Sequence, residues 1–511
     1  MSQREGIDSF ATESSGCENQ AGSAHMSIGR DTLANLVGMV VPLATTLVTA
    51  PQYLRLIGVE RYGTLAVIWL LLGYLGVFNL GLGRAASQLI SRVAPGDGDA
   101  SSRIFWTALL MALASGAVGS AALWGLADYL LGSVLSMSGG NRDEALEAIP
   151  WLVLILPLLL ATSVVSGALE SRHQFAYLSG ANVVANTATQ VVPLVVAWLG
   201  HAELPTLVVA AQVGRVGILM PLFLRCRTRL PLIGPPILAR DQIMPLIRLG
   251  TGALIISILN PLLVSLDRVV IGTVLGTSEV AYYSVVYGLA SQLLLVTGSL
   301  TQATFPRMAA ADAAERSRLA SHATRILLAL ITPLASLGAL VVSPFLSIWL
   351  GADFALRASG IGELLLVGIW VNLFAQPHTQ KLQAAGHYRK VISLYLMEIP
   401  FYIAALYFLL SAFGVIGAAA AWALRTAIDA PLQMLIANGL TKPRVYAISI
   451  ISLSMIVIST ISGSFLSPFS GWRPVIAVSV LVISVLLFRE QASSALRLLS
   501  TSRTRAGSHL T

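Results

Sequence analysis

Charge is scarce in this sequence: Asp, Glu, Lys and Arg together make up 11% of its 511 residues, against roughly a quarter in a soluble domain. Such a chain cannot cover itself with a water-facing surface, which excludes an ordinary soluble globule. Cysteine is scarcer still. Cys17 and Cys226 are the two present and stand far apart, which excludes a disulfide framework. The signatures of enzyme chemistry are missing as well, with no Walker-type phosphate loop, no HExxH, no CxxC and no GxSxG. Catalytic residues, cofactors and a metal are therefore not expected, and ATP is not expected as a direct fuel. The Gly81-Leu82-Gly83 step ends an apolar run and follows no strand, so it does not read as a dinucleotide loop.

Apolar sequence takes the place of charge. Hydrophobic residues account for 56% of the chain and the mean hydropathy is +0.78. A bilayer-spanning helix needs about 20 mostly apolar residues, and such runs recur from Leu33 almost to the end of the chain. The pattern predicts an all-α, polytopic membrane protein of about fourteen transmembrane helices. The expected spans are 33–54, 62–83, 104–127, 149–169, 176–199, 205–224, 249–275, 281–304, 324–350, 360–381, 391–413, 415–438, 445–466 and 474–489. Pro42, Pro157, Pro193, Pro261, Pro333, Pro377, Pro400 and Pro431 fall inside them. Neighbouring helices can satisfy the backbone groups that proline frees in a bundle, so each marks an expected kink.

The formal net charge of +8 lies in short loops and builds no continuous basic face, which argues against nucleic acid as a partner. Loop Arg and Lys resist translocation and therefore orient the chain. With the N-terminus inside, inner loops hold clusters such as Arg225, Arg227, Arg229, Arg240 and Arg248, while outer loops hold Arg55, Arg61, Arg142, Arg357 and Arg473. Both termini are then cytoplasmic. Residues 1–32 are rich in Ser, Gly, Glu, Gln and Asn and read as a disordered tail that is not a cleaved signal.

The two halves share an order of elements. Pro42-Leu43 precedes Leu56-Ile57-Gly58 and Tyr62, and Pro261-Leu262 precedes Leu275-Gly276 and Tyr282-Tyr283, the kind of internal repeat on which transporters are built. The expected organisation is a tail over 1–32, an N-lobe of six helices over 33–228 and a basic linker over 229–248. A six-helix C-lobe over 249–440 follows, then two extra helices over 441–490 and a cytoplasmic tail over 491–511.

Five stretches stand in this topology: Tyr53-Leu54-Arg55-Leu56-Ile57-Gly58-Val59-Glu60-Arg61-Tyr62-Gly63, Asn79-Leu80-Gly81-Leu82-Gly83-Arg84-Ala85, Asp267-Arg268-Val269-Val270-Ile271-Gly272, Ala385-Gly386-His387 and Gly414-Val415-Ile416-Gly417-Ala418-Ala419. Together, in this order, they resemble the oligosaccharide flippases of the Wzx type, in the superfamily that also holds peptidoglycan-lipid flippases and multidrug and toxin extrusion transporters. The resemblance covers nearly the whole chain. It implies two lobes in an inverted V around a polar cavity, with the last two helices flanking a groove for a lipid tail. It also implies, as substrate, an oligosaccharide on undecaprenyl pyrophosphate, moved across the inner (cytoplasmic) membrane by alternating access for O-antigen, capsule or exopolysaccharide synthesis. The partners so implied are that lipid-linked substrate, membrane lipids and polysaccharide polymerase machinery, with the flippase itself a monomer.

A bare pyrophosphate in hydrocarbon is prohibitively costly, so ionisable residues deep in spans are the first candidates for a transport path. Arg215, Arg268 and Arg425 lie within expected spans and Arg84 at the inner end of one. An arginine at such depth costs roughly 2.5 to 3.5 kcal/mol on insertion scales, and its planar donors suit phosphate. The competing reading is local pairing, since Arg425 and Asp429 are i and i+4. Amides on single helix faces suit sugar hydroxyls: Asn182, Asn186 and Gln190 on one helix, Asn372, Gln376 and Gln380 on another. Tyr395, Glu398 and Tyr402 share a third face. Hydrogen bonding between helices explains such stripes equally well. Asp267, Glu398 and Asp429 are the candidates for ion coupling, and His378 reads as a hydrogen-bonding residue. An ion-coupled multidrug exporter of the same superfamily is the alternative function. A membrane polymerase or ligase is disfavoured, because the longest expected outer loop, 128–148, holds no histidine.

Overall fold

The computed structural model describes residues 41–69, 81–94, 97–129, 139–172, 174–230, 235–437 and 443–488. The expected tails at 1–32 and 491–511, and the start of the first span, lie outside the described residues. Within them the chain is helical throughout, with no strand, as the bilayer requires when every backbone group must be satisfied internally. In chain order the helices are α1 (41–69), α2 (Leu82–Arg92), α3 (Gly98–Tyr129), α4 (Gly139–Glu170), α5 (Phe175–Trp198), α6 (Leu204–Gly217), α7 (Leu219–Arg229) and α8 (Arg240–Val274). They continue as α9 (Thr277–Ala290), α10 (Gln292–Ala310), α11 (Ala313–Trp349), α12 (Ala352–Ala384), α13 (Tyr388–Phe413), α14 (Val415–Ile436), α15 (Pro443–Phe465) and α16 (Trp472–Phe488). Among the described residues, nine helical stretches are long and apolar enough to cross a membrane. The protein is thus a multi-pass membrane protein.

Pro157, Pro193, Pro333, Pro377, Pro400 and Pro431 sit inside helices, as anticipated. The loop expected between the first two spans differs. Helix α1 runs through 55–61, and the interruption is a single residue, Gly58, at φ 79°. That left-handed backbone is open to glycine at no steric cost. Gly276, its counterpart in the repeat pattern, has φ 89° and separates α8 from α9.

Other glycines serve close packing. A Cβ on Gly167 would stand 2.0 Å from the Gly83 carbonyl oxygen, and one on Gly83 would stand 2.5 Å from that of Ser163. Helices α2 and α4 therefore cross backbone to backbone, the small-residue packing that joins helices in lipid.

The chain forms two compact units, Met1–Gln52 with Leu75–Gly125 and Glu147–Leu254, and Tyr53–Tyr74 with Leu126–Leu146 and Ile255–Thr511. The first has a core that includes Leu82, Ile90, Phe105, Val164, Leu222 and Cys226. The second is organised on α12, which packs against α9, α10, α11, α14 and α15. Its cores include Ile331, Trp370, Leu373 and Ile456 in one cluster and Val286, Leu346, Phe354 and Ala358 in another. Leu54 and Tyr62 of α1 pack on the latter, and Arg61 pairs with Glu144. Arg473, expected in an outer loop, opens α16 and is buried. Its guanidinium donates to the carbonyls of Gly463 and Leu466 at 2.7 Å, of Ser467 at 3.0 Å and of Leu340. It thereby caps the end of α15 and ties it to α11.

Candidate functional site

The second unit gathers most of the anticipated ionisable residues onto three helices. Asp267 and Arg268 come from α8, Glu398 from α13, and Arg425 and Asp429 from α14. Helices α13 and α14 pack side by side, and helical spacing aims their polar residues at one seam. Glu398 and Tyr402 are one turn apart on α13, and Trp422, Arg425, Asp429 and Gln433 follow one another on a single face of α14.

Asp267 is fully buried. Its carboxylate accepts a hydrogen bond from the Tyr283 hydroxyl and, at 2.8 Å, one from the backbone N–H of Arg268. Arg268 turns elsewhere, as neighbours on a helix must. Its guanidinium carbon lies 4.0 Å from the centre of the Tyr287 ring, within cation–π reach. Its Nε has no hydrogen-bond partner among the described residues, while the side chain is only partly buried. Tyr287 stacks on Tyr283 at 6.0 Å and meets Trp422 edge-on at 6.1 Å.

Arg425 is held differently. Its Nη1 lies 3.6 Å from Glu398 Oε2, and both side chains are less than one-tenth exposed. The rings of Tyr402 and Trp422 flank the guanidinium at 5.2 Å and 5.9 Å. The ion pair thus runs between α13 and α14 and is not the intrahelical pair with Asp429 that spacing also allowed. Asp429 instead accepts from Gln433 Nε2 at 2.7 Å and 2.8 Å.

The remaining candidates stand apart from this cluster. On α5, Asn182 and Asn186 are exposed, whereas Gln190 Oε1 accepts from Thr46 at 2.9 Å and Thr49 at 3.3 Å, joining α5 to α1. Arg215 on α6 is partly exposed, and Arg84 at the start of α2 is exposed. On α12, Gln376 Nε2 donates to Asn372 Oδ1 at 3.4 Å, so that stripe is partly satisfied along its own helix. His378 is buried, and neither ring nitrogen has a partner among the described residues. Among those residues no group of His, Cys, Asp and Glu is arranged to hold a metal ion.

Tyr283, Tyr287, Trp422 and Gln433 complete the cluster and were not anticipated as site residues. The available signal was spacing: Tyr283 and Tyr287 are i and i+4, and Trp422 precedes Arg425 by three. Together the groups form a desolvated site in which two guanidiniums lie against aromatic faces. One is paired with a carboxylate, and the other lies on the Tyr287 ring with its Nε unpartnered among the described residues.

Comparison with known proteins identifies relatives of the chain. The "Polysaccharide biosynthesis protein" family model matches residues 54–357. A putative O-antigen transporter of Shigella flexneri is 23% identical over 408 residues, spanning 80% of this chain and 97% of the relative. Among solved structures, the lipid II flippase MurJ in an inward closed conformation aligns with a TM-score of 0.72 at 12% identity, covering 90% of this chain and 99% of that one. An inward-facing multidrug resistance MATE family transporter of the MOP superfamily aligns with a TM-score of 0.62 at 14% identity, covering 81% and 99%. The chain belongs to the polysaccharide biosynthesis protein family, as its resemblance to Wzx-type flippases implied.

Proposed function

We propose that this protein flips a polyprenyl-pyrophosphate-linked oligosaccharide from the inner to the outer leaflet of the cytoplasmic membrane, for assembly of a surface polysaccharide. The observation that carries the reading is Arg268, a guanidinium on α8, in the expected span 249–275, that rests on Tyr287 and whose Nε has no partner among the described residues. An arginine at such depth needs a partner, and a pyrophosphate supplies paired oxygens for its planar donors. The putative O-antigen transporter supports the same substrate class.

In this scheme Arg268 receives the anionic head, and Arg425, already balanced by Glu398, sets the local potential. Asn182 and Asn186 of α5 contact sugar hydroxyls, with Arg215 and Arg84 along the route. Asn372, Gln376 and Gln190 line it as helix-tying amides. Asp267, Asp429 and Glu398 carry the coupling ion. Two lobes, 33–228 and 249–440, alternate access around the path, and the chain works as a monomer with cytoplasmic termini, beside a polymerase and without enzymatic chemistry of its own.

Deleting the protein and analysing lipid-linked oligosaccharides tests the reading. Accumulation on the inner leaflet, relieved by the wild type, is the expected result. The fold also hosts multidrug transporters, so unchanged lipid pools with altered drug sensitivity would move the assignment to an exporter.

A further inference from the structure

The segment joining α7 to α8 exposes apolar side chains beside arginines. Ile237 is 52% and Leu238 48% exposed, and Met244 and Ile247, in the first turns of α8, are 55% and 41% exposed. Arg227, Arg229 and Arg240 are exposed alongside them.

This segment is docked, not trailing in water. The Ala239 N–H donates to Thr107 Oγ1 at 3.0 Å, and that hydroxyl donates to the Ile237 carbonyl at 3.4 Å. Arg103 Nη2 meets Asp241 Oδ1 at 2.9 Å. Thr107 is fully buried and lies inside the candidate span Gly98–Ala127, and the preceding span, Leu204–Arg229, ends at the arginines. Two spans therefore fix the level of the segment at the edge of the hydrocarbon. Exposed Ile, Leu and Met at that level face acyl chains, and the arginines face headgroups, the arrangement of an interfacial amphipathic segment.

We propose that residues 235–247 form a docking surface for anionic phospholipid of the inner leaflet, with Arg227, Arg229 and Arg240 holding the headgroup and Ile237, Leu238, Met244 and Ile247 entering the outermost acyl region. Basic residues clustered next to a span attract anionic lipid, and the charge complementarity selects it over a zwitterionic one. The surface opens the helix that also bears Asp267 and Arg268, so lipid held here steadies the start of the helix that carries the site.

The test places a bimane label at Leu238→Cys in a Cys17→Ser background, with buried Cys226 retained, after reconstitution in mixed phosphatidylcholine–phosphatidylglycerol vesicles in which the bromine is carried either on the phosphatidylglycerol or on the same fraction of the phosphatidylcholine. Phe401→Cys, 72% exposed on α13, serves as the reference for full acyl contact. Bromine near the headgroup should quench the Leu238 label more than bromine deep in the chains. Bromine carried on phosphatidylglycerol should quench the label about twofold more than the same fraction of bromine on phosphatidylcholine, and combined Arg227→Gln, Arg229→Gln and Arg240→Gln should abolish the difference while the protein still elutes as wild type. Quenching by aqueous iodide instead, equal quenching in both lipids, or protection from both quenchers by a second copy or another protein would each overturn the proposal.

Discussion

In the unit built mainly on residues 255–511, helices are joined by buried charge: Arg425 to Glu398 across α13 and α14, and Asp267 to Tyr283 across α8 and α9. In the unit built mainly on residues 147–254 the ion pair between helices, Arg103 to Asp241, is exposed, and the ties formed by Thr46 and Thr49 to Gln190 and by Ser120 to the Val153 carbonyl are neutral. Buried charge is tolerated only where it is paired, and breaking a pair leaves a stranded ion. Neutral ties in a membrane are weak one by one. The difference teaches that most of the charged cluster, whatever it binds, also serves as scaffold. Under the proposed function, Arg268, Arg215, Asn182 and Asn186 are groups outside these ties that a passing headgroup would meet.

The comparison can be broken most severely at Arg425. Arg425→Ala strands Glu398, and we expect a loss of about 3–5 kcal/mol, read as a lower thermal midpoint in detergent. Adding Glu398→Gln should recover part of it. A wild-type midpoint for Arg425→Ala would remove the scaffold role. The neutral ties should give less: Gln190→Leu costs about 0.6 to 1.7 kcal/mol, and a loss as large as that at Arg425 would erase the distinction between the units. The smallest stability effect is expected at exposed Asn182 and Asn186, where alanine should change unfolding by no more than about 0.5 kcal/mol while transport falls severalfold. If transport is unchanged in the double variant, the α5 face does not contact the sugar.

Periodicity made much of the architecture legible. The expected spans over 391–413, 415–438, 445–466 and 474–489 correspond to α13, α14, α15 and α16 within a few residues, because the apolar length needed to cross a bilayer is fixed. The first junction was read as a loop because Arg55, Glu60 and Arg61 cluster there, yet the helix continues through that stretch with one left-handed glycine inside it. Arg473 misled for a similar reason. A charge beside an apolar run reads as solvent-facing, and only folding brings four carbonyl oxygens around it. Within the site, Arg268, Arg425, Asp267, Glu398 and Asp429 were visible as ionisable residues in apolar surroundings. Their partners were not, because Arg425 could reach Asp429 along its own helix or Glu398 on the next, and sequence carries no record of how α13 packs on α14. The rings of Tyr287 and Trp422 were hidden among many aromatics for the same reason.

The central claim is that Arg268 receives the anionic head of the substrate inside the membrane. Its most direct test reconstitutes the protein in vesicles with a polyprenyl-pyrophosphate oligosaccharide and follows exposure of the glycan to an impermeant glycosidase. Wild type should expose it steadily, Arg268→Ala should lose at least about 100-fold, near 2.7 kcal/mol at the transition state, and Arg268→Lys should recover only part, since a point charge replaces a two-pronged donor. Exposure by Arg268→Ala at the wild-type rate, with normal insertion, would contradict the account.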